Sequence, residues 1–258
     1  MIYFNNEFTV DESIANNTGF NYGIGCFETL MGIGRKVIFL EEHLKRLKNS
    51  MEYLGIAREY NWYGIIGELI RFENISETDE YSLKILVTDK DIMIVLKRIK
   101  LRVEPLGIKV KIIREFYQNE FGFIKSTNYA VNIMALQNIK KDGFYEGIFK
   151  NRCNVVTEGT ISNLFFTKKD KLYTPALRLN ILPGIVRQKV IEIANKRGVK
   201  VEEGEYNEEE ILGADSIFIT NSLMKNGILW VSEIEGIKKA KGKIEELIEV
   251  EYGKMIKY

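Results

Sequence analysis

Between Asn154 and Phe166 the chain reads NVVTEGTISNLFF, and this run constrains the fold more than any other. Val, Thr, Ile and Phe suit a pleated, half-buried surface, so a strand is predicted there. Glu158 sits inside it, followed at once by Gly159. A carboxylate in such a strand needs compensation, because an isolated buried charge is costly. The fold must therefore bring a positive or protonated partner to Glu158.

The segments around this run predict a mixture of strands and helices. MIYFNNEFTV reads as two short strands about the turn Asn5-Asn6, and CFETLMGIGRKVIFL as a hairpin turning at Gly32 to Lys36. In LEEHLKRLKNSMEYLGI, Leu40, Leu44, Leu47, Met51 and Leu54 recur at steps of four and three, which makes one apolar stripe on a helix closed by Gly55. On that projection Arg46 falls off the stripe and reads as solvent-facing, and His43 reads as a satisfied histidine at the helix edge. NWYGIIGELIRFENIS is a second helix, YSLKILVTDKDIMIVLKRI a strand pair and GIKVKIIREFY a further strand. STNYAVNIMALQNIKKDG is a helix ended by Gly143. Strands EGIFK, VVTEGTISNLFFTK and KLYTP follow, then the helix LPGIVRQKVIEIANKRG, a buried strand DSIFITNS, and GILWVSEIEG as a strand entering a turn. The pattern is α+β, in two parts joined near YQNEFGF.

With 258 residues, 45% of them apolar, the chain can bury one large core or two medium ones. Its 37 basic and 36 acidic residues leave a net charge of +1, which argues against nucleic-acid binding by bulk charge. The basic cluster GIKKAKGK, Gly236 to Lys243, lies among carboxylates and reads as a solvated face. Cys26 and Cys153 stand far apart in no metal-type spacing, so a reducing cytoplasm is expected. The first residues lack a leader's profile, and no apolar run approaches the ~20 residues of a membrane span. One histidine excludes most multi-histidine metal sites and supports no catalytic triad. No metal, membrane or nucleic-acid partner is therefore expected.

Three stretches could carry chemistry. Pro183 and Gly184 precede Ile185 and Val186 at a helix start, where free amides and the dipole favour an anion such as phosphate. FITNSL runs a strand out into Thr220, Asn221 and Ser222, short polar side chains that hold an oxyanion or cap a turn. Lys125 follows an apolar stretch, and a desolvated lysine becomes a nucleophile toward carbonyls. Each pattern has an ordinary reading as well: a plain helix start, a plain turn, an exposed lysine.

In series, however, NYGIGCFETL, HLKRL, IKSTNY, EGIF with VTEGTISNLFF, YTP with ILPGIVRQ, and FITNS resemble the class IV aminotransferase family, the fold-type IV pyridoxal 5'-phosphate (PLP) enzymes. Six motifs in the right order span nearly the whole chain. The resemblance implies an α+β, D-amino acid aminotransferase-like fold. A smaller N-terminal α/β sandwich would occupy 1–116, a linker 117–123, and a larger C-terminal pseudo-barrel 124–258. It also implies a homodimer in which the partner subunit completes the active site.

Matched position by position, Lys125 is similar to the family lysine that forms the Schiff base with PLP and shuttles the substrate proton. Glu158 matches the carboxylate at the pyridine nitrogen, the partner its burial calls for. Arg46 matches the arginine on the cofactor phosphate, Ile185 and Val186 the helix-start amides at that phosphate, and Ser222 a phosphate-binding hydroxyl. The family often has Thr where Val186 stands. Phe27 falls where the substrate pocket is lined. Tyr129 is similar to a tyrosine near the ring hydroxyl, one residue closer to the lysine than usual. Many members carry an Arg-Gly loop after the strand matching KILVT. Here that place reads DKDIMIV, so Lys84 is the candidate cation for a substrate carboxylate, a point charge without arginine's fork. Within the family the motifs look most like aminodeoxychorismate lyases, which convert 4-amino-4-deoxychorismate to 4-aminobenzoate and pyruvate in folate biosynthesis. The alternatives are an aminotransferase acting on D-amino or branched-chain amino acids with a 2-oxo acid, and a PLP-binding protein without efficient turnover.

Overall fold

The computed structural model describes residues 2–4, 7–9, 16–117 and 120–256. The chain divides into two compact units, Met1–Lys100 with Ile124–Asn128 and Leu101–Phe123 with Tyr129–Tyr258. The expected turn at Asn5-Asn6, and residues 118 and 119 of the expected linker, lie outside the described residues.

In the first unit β1 (Ile2–Phe4) and β2 (Glu7–Thr9) pair antiparallel. There follow α1 (Thr18–Tyr22), β3 (Gly25–Ile33), β4 (Lys36–Val37), α2 (Leu40–Tyr53), α3 (Trp62–Phe72), β5 (Glu80–Thr88) and β6 (Ile92–Arg98). The last four strands form an antiparallel sheet in the order β4-β3-β5-β6. Strand alternation decides what each face does. Cys26 and Leu30 of β3 and Leu83, Ile85 and Val87 of β5 are buried with Leu47 and Met51 of α2 and Ile66 and Ile70 of α3. The apolar stripe read in the sequence is therefore the face by which α2 meets the sheet. Gly55, at φ +70°, reverses the chain after that helix, a conformation that a side chain would strain. The opposite face of the sheet carries Phe27 beside Leu86 and Thr29 beside Lys84.

The second unit comprises β7 (Ile108–Ile112), α4 (Ala130–Lys141), β8 (Glu146–Lys150), β9 (Val156–Gly159), β10 (Asn163–Lys168), β11 (Lys171–Pro175), α5 (Ile185–Lys196), β12 (Val201–Gly204), α6 (Glu208–Leu212), β13 (Ser216–Thr220), β14 (Ile228–Ile234), β15 (Ile237–Lys238) and α7 (Lys243–Ile256). Nine strands make one sheet, ordered β12-β11-β10-β13-β14-β7-β8-β9 with β15 beside β14. The pairs β11–β12, β14–β7 and β7–β8 are parallel. This sheet curls. Val156 of the terminal strand β9 donates its N–H to the carbonyl of Tyr206, just beyond the other terminal strand, at 2.8 Å. The curl encloses a core of Ile108, Val110, Ile148, Leu164, Phe166, Ile217, Ile219 and Val231.

Two expectations are corrected here. The run 154–168 is not one strand: β9 pairs with β8, β10 pairs with β11 and β13, and a turn at Thr160–Ser162 separates them. The cluster 236–243 is not uniformly solvated either. Lys239 donates from Nζ to the carbonyls of Leu212 (2.7 Å) and Ala214 (2.6 Å), and desolvation pulls its pKa down.

No helix among the described residues is long and apolar enough to cross a membrane. No group of three or more His, Cys, Asp or Glu among them is arranged to hold a metal.

Glu245, in the first turn of α7, is fully buried. Burial pushes its pKa above the ordinary carboxylate value. A raised folded-state pKa means stability is complete below the unfolded value and is lost as pH climbs through the folded one. The urea midpoint should fall as pH rises out of the ordinary carboxylate range, and Glu245→Gln should flatten that fall. A variant with the wild-type slope would show that Glu245 titrates normally.

Candidate active site

In the first unit, the stretch Ile124–Asn128 runs antiparallel beside the start of β3. Phe27 N–H donates to the Lys125 carbonyl and Thr127 N–H to that of Gly25, both at 2.8 Å, and Cys26 bridges Ser126. This register sets Lys125 on the same sheet face as Phe27. The Lys125 Nζ lies 4.5 Å from the Phe27 ring centroid, and the Lys84 Nζ lies 5.0 Å from it. Two ammonium groups thus share one aromatic ring. Of the predicted residues, Lys125, Phe27 and Lys84 come together on this face.

Arg46 does not join them there. It lies on the α2 side of the sheet and is buried, against the expectation of a solvent-facing residue. The reason is Glu28, one residue along β3 from Phe27 and fully buried. Arg46 donates from Nε to Glu28 Oε1 (2.7 Å) and from Nη2 to Oε2 (2.8 Å). His43 Nδ1 meets Oε2 at 2.7 Å. Burial alone would raise the Glu28 pKa. The charge and hydrogen bonds of Arg46, then of His43, outweigh it and hold the carboxyl at about 2. His43 moves down, first because it is buried, with the Arg46 and Lys125 charges adding to the effect against the pull of Glu28. Sequence reasoning missed Glu28; its one legible sign was a carboxylate at an inward-facing position of an otherwise apolar strand.

In the second unit the remaining residues gather about the turn Thr160–Ser162. Glu158, at the end of β9, is 8% exposed. Its oxygens accept from Leu182 N–H (3.2 and 3.1 Å), and Oε2 also accepts from Asn163 Nδ2 (3.0 Å). The same Asn163 amide donates to the Leu182 carbonyl at 2.9 Å. Gly184, the N-cap of α5, must lack a side chain, since a Cβ would sit 2.0 Å from Asn163 Oδ1. No side chain caps α5, so its first amides, those of Ile185 and Val186 among them, face the space beyond Gly184. Ser222 lies in the turn after β13, where Asn221 Nδ2 donates to the Ile161 carbonyl at 2.6 Å. Tyr129 donates its hydroxyl to the Thr160 carbonyl at 3.3 Å.

Beneath that turn is a second unforeseen carboxylate. Glu146, at the start of β8, is buried and accepts from Gly147 N–H (2.9 Å), Thr160 N–H (3.1 Å), the Thr160 hydroxyl, Ile161 N–H (3.3 Å) and the Ser162 hydroxyl (2.9 Å). Burial raises its pKa and these donors oppose the rise.

The donor set suits PLP. An aldehyde calls for an amine, a protonated pyridine nitrogen for a carboxylate, and a phosphate for a guanidinium and free helix-start amides. The first unit offers an amine (Lys125) and a guanidinium (Arg46), and the second offers a carboxylate (Glu158) and the uncapped start of α5. Thr220 adds a buried hydroxyl without a hydrogen-bond partner among the described residues, two positions before Ser222.

Comparison with known proteins agrees. The family model described as amino-transferase class IV matches residues 25–234. An aminodeoxychorismate lyase of Bacillus subtilis is 27% identical over 281 residues, spanning 100% of this chain and 95% of the relative. A D-alanine aminotransferase of Bacillus licheniformis is 26% identical over 239 residues, 84% of this chain and 81% of that protein. Among solved structures, an aminotransferase from Brucella abortus bound to PLP superposes with a TM-score of 0.84 at 20% identity, covering 99% of this chain and 98% of its own. The fold is that of the fold-type IV aminotransferases. The chain belongs to the class IV aminotransferase family and is a PLP-dependent enzyme.

Proposed function

We propose that this enzyme is an aminodeoxychorismate lyase, releasing pyruvate from 4-amino-4-deoxychorismate and leaving 4-aminobenzoate. The observation that carries this reading is the match to a lyase along the whole chain. When bound, PLP supplies an electron sink for the carbon that bears the substrate amine. The chain supplies the rest. The Lys125 amine holds the cofactor aldehyde and moves the proton at that substrate carbon. Glu158, set by Asn163 and Leu182, keeps the ring nitrogen protonated. Arg46, the amides of Ile185 and Val186 and the hydroxyl of Ser222 hold the phosphate. Phe27 walls the substrate site, and Tyr129 braces the turn that follows Glu158. In the lyase reaction a proton leaves the amine-bearing carbon, enolpyruvate leaves the neighbouring carbon, and the ring becomes aromatic.

Lys84 supports a carboxylate-bearing substrate. It is exposed on the Lys125 face and has no carboxylate partner among the described residues. The β5–β6 turn, by contrast, is already committed: Asp89 Oδ1 accepts from Thr18 N–H (3.2 Å) and Asp91 Oδ2 from Asn17 Nδ2 (2.5 Å). The second reading, amino transfer from a D-amino or branched-chain amino acid to a 2-oxo acid, is favoured by the D-alanine aminotransferase relative. The same sheet face exposes Met93 and Val95 of β6, an apolar strip suited to a second copy of the chain. We infer a homodimer, and light scattering should give twice the chain mass; a monomer would exclude it.

Purified enzyme given 4-amino-4-deoxychorismate should release pyruvate and 4-aminobenzoate in equal amounts. Amino transfer to 2-oxoglutarate or pyruvate without that release would establish the second reading. Lys125→Ala should abolish borohydride-fixed cofactor, and fixation on another lysine would overturn the assignment. Glu146→Gln should turn an acceptor into a donor among buried donors. A cost of about 1–3 kcal/mol, read as a lower urea midpoint, should accompany weaker cofactor retention. Unchanged values for both would remove Glu146 from the support of the site.

A further inference from the structure

Among the described residues, Glu28 is a fully buried, ionised group close to the proposed machinery that the chemistry above leaves without a task. Its surroundings are those of a device for aiming a cation. His43 and Arg46 stand three residues apart on α2, so both project from one helix face. Opposite them β3 presents Glu28, fully buried. Arg46 meets the carboxylate through Nε and Nη2, at 2.7 and 2.8 Å, the two-pronged arrangement that fixes a guanidinium in its plane as well as in position. His43 adds a third contact at 2.7 Å; the carboxylate only accepts, so His43 Nδ1 carries the proton. The set is one anion, one cation and an imidazole that burial keeps toward its neutral form, which leaves little net charge in the interior.

An arginine side chain is long, and an anion gains most from a guanidinium whose orientation is set before binding. Glu28 takes the Nε edge of the fork, which determines where the rest of the group points. We propose that Glu28, steadied by His43, is a positioning residue that orients the Arg46 guanidinium for the phosphate of the cofactor. This inference rests on the assignment of Arg46 to that phosphate.

The test compares two vitamers that differ only in the phosphate. Cofactor-free protein is titrated with PLP and with pyridoxal, following the absorbance of the bound form and the mass of the borohydride-fixed adduct. Wild type, Arg46→Met, Glu28→Gln and Glu28→Asp are compared. Glu28→Gln should raise the PLP dissociation constant on the order of tenfold while leaving that for pyridoxal unchanged, and inorganic phosphate should compete with PLP less well than in wild type. If Glu28→Gln weakens both vitamers alike, or neither, while Arg46→Met weakens PLP alone, Glu28 is only structural and the inference fails. If Arg46→Met leaves the PLP-to-pyridoxal ratio at the wild-type value, the phosphate assignment of Arg46 fails and takes the inference with it. Should Glu28→Gln not fold, Glu28→Asp is decisive. It keeps the charge but shortens the reach, so its ratio should shift in the same direction by less; a wild-type ratio would overturn the inference.

Discussion

A carboxylate taken out of water must find donors, and the second unit is arranged around one that does. Glu146 draws three backbone N–H groups and two hydroxyls onto its oxygens, four of the five from the turn at Thr160–Ser162. Such donors compete with the sheet ladder for the backbone. The run from Val156 to Lys168 consequently breaks after Gly159, and β9 and β10 take different partners. The second-unit residues assigned to the cofactor hang on that break. Glu158 is the next-to-last residue before it and Asn163 the first strand residue after it, and Asn163 binds both Glu158 and Leu182. Asn221 and Tyr129 fasten to the turn's own carbonyls. Charge–dipole attraction at one buried site therefore fixes several groups at once, which is how a polar network restricts a region to a single arrangement.

The first unit handles its buried carboxylate differently. Glu28 meets a full positive charge, so its pKa is held down, whereas that of Glu146 is raised. The contrast follows from the donors: a guanidinium compensates charge, while amides and hydroxyls supply only partial charges. An ion pair needs two long-range partners in register. Here β3 and α2 are joined by the short β4 hairpin, which places residues 28, 43 and 46 together with little chain between them.

What could be read in the sequence follows the range of the forces involved. The stripe from Leu40 to Leu54, the Pro-Gly start of α5 and the β5–β6 hairpin are local patterns, and each element stands where its pattern puts it. The burial of Arg46 is not local. Helical periodicity assigns it to solvent, and only a partner 18 positions earlier, on a strand, brings it in. The turn at Thr160–Ser162 was hidden for the same reason: Thr and Ile favour a strand, and the group that bends them away is Glu146, 14 positions upstream of Thr160. Motif order singled out Lys125 and Glu158 as candidates, but neither Glu28 nor Glu146, whose contacts act through other residues.

This division of labour bears on why one family holds both lyases and aminotransferases. The residues we assign to the cofactor's ends are tied into the folded frame: Arg46 by Glu28, Glu158 by Asn163, the start of α5 by the close contact of Gly184 with Asn163. Lys84 stands on an exposed position of a sheet face with its Nζ over the ring of Phe27, and the β5–β6 turn is secured by Asn17, Thr18 and the side chain of Arg58. Substitutions there cost the frame little. Under the proposed assignment, choice of substrate is free to vary at exposed positions such as Lys84, while the groups assigned to the cofactor stay tied into the frame.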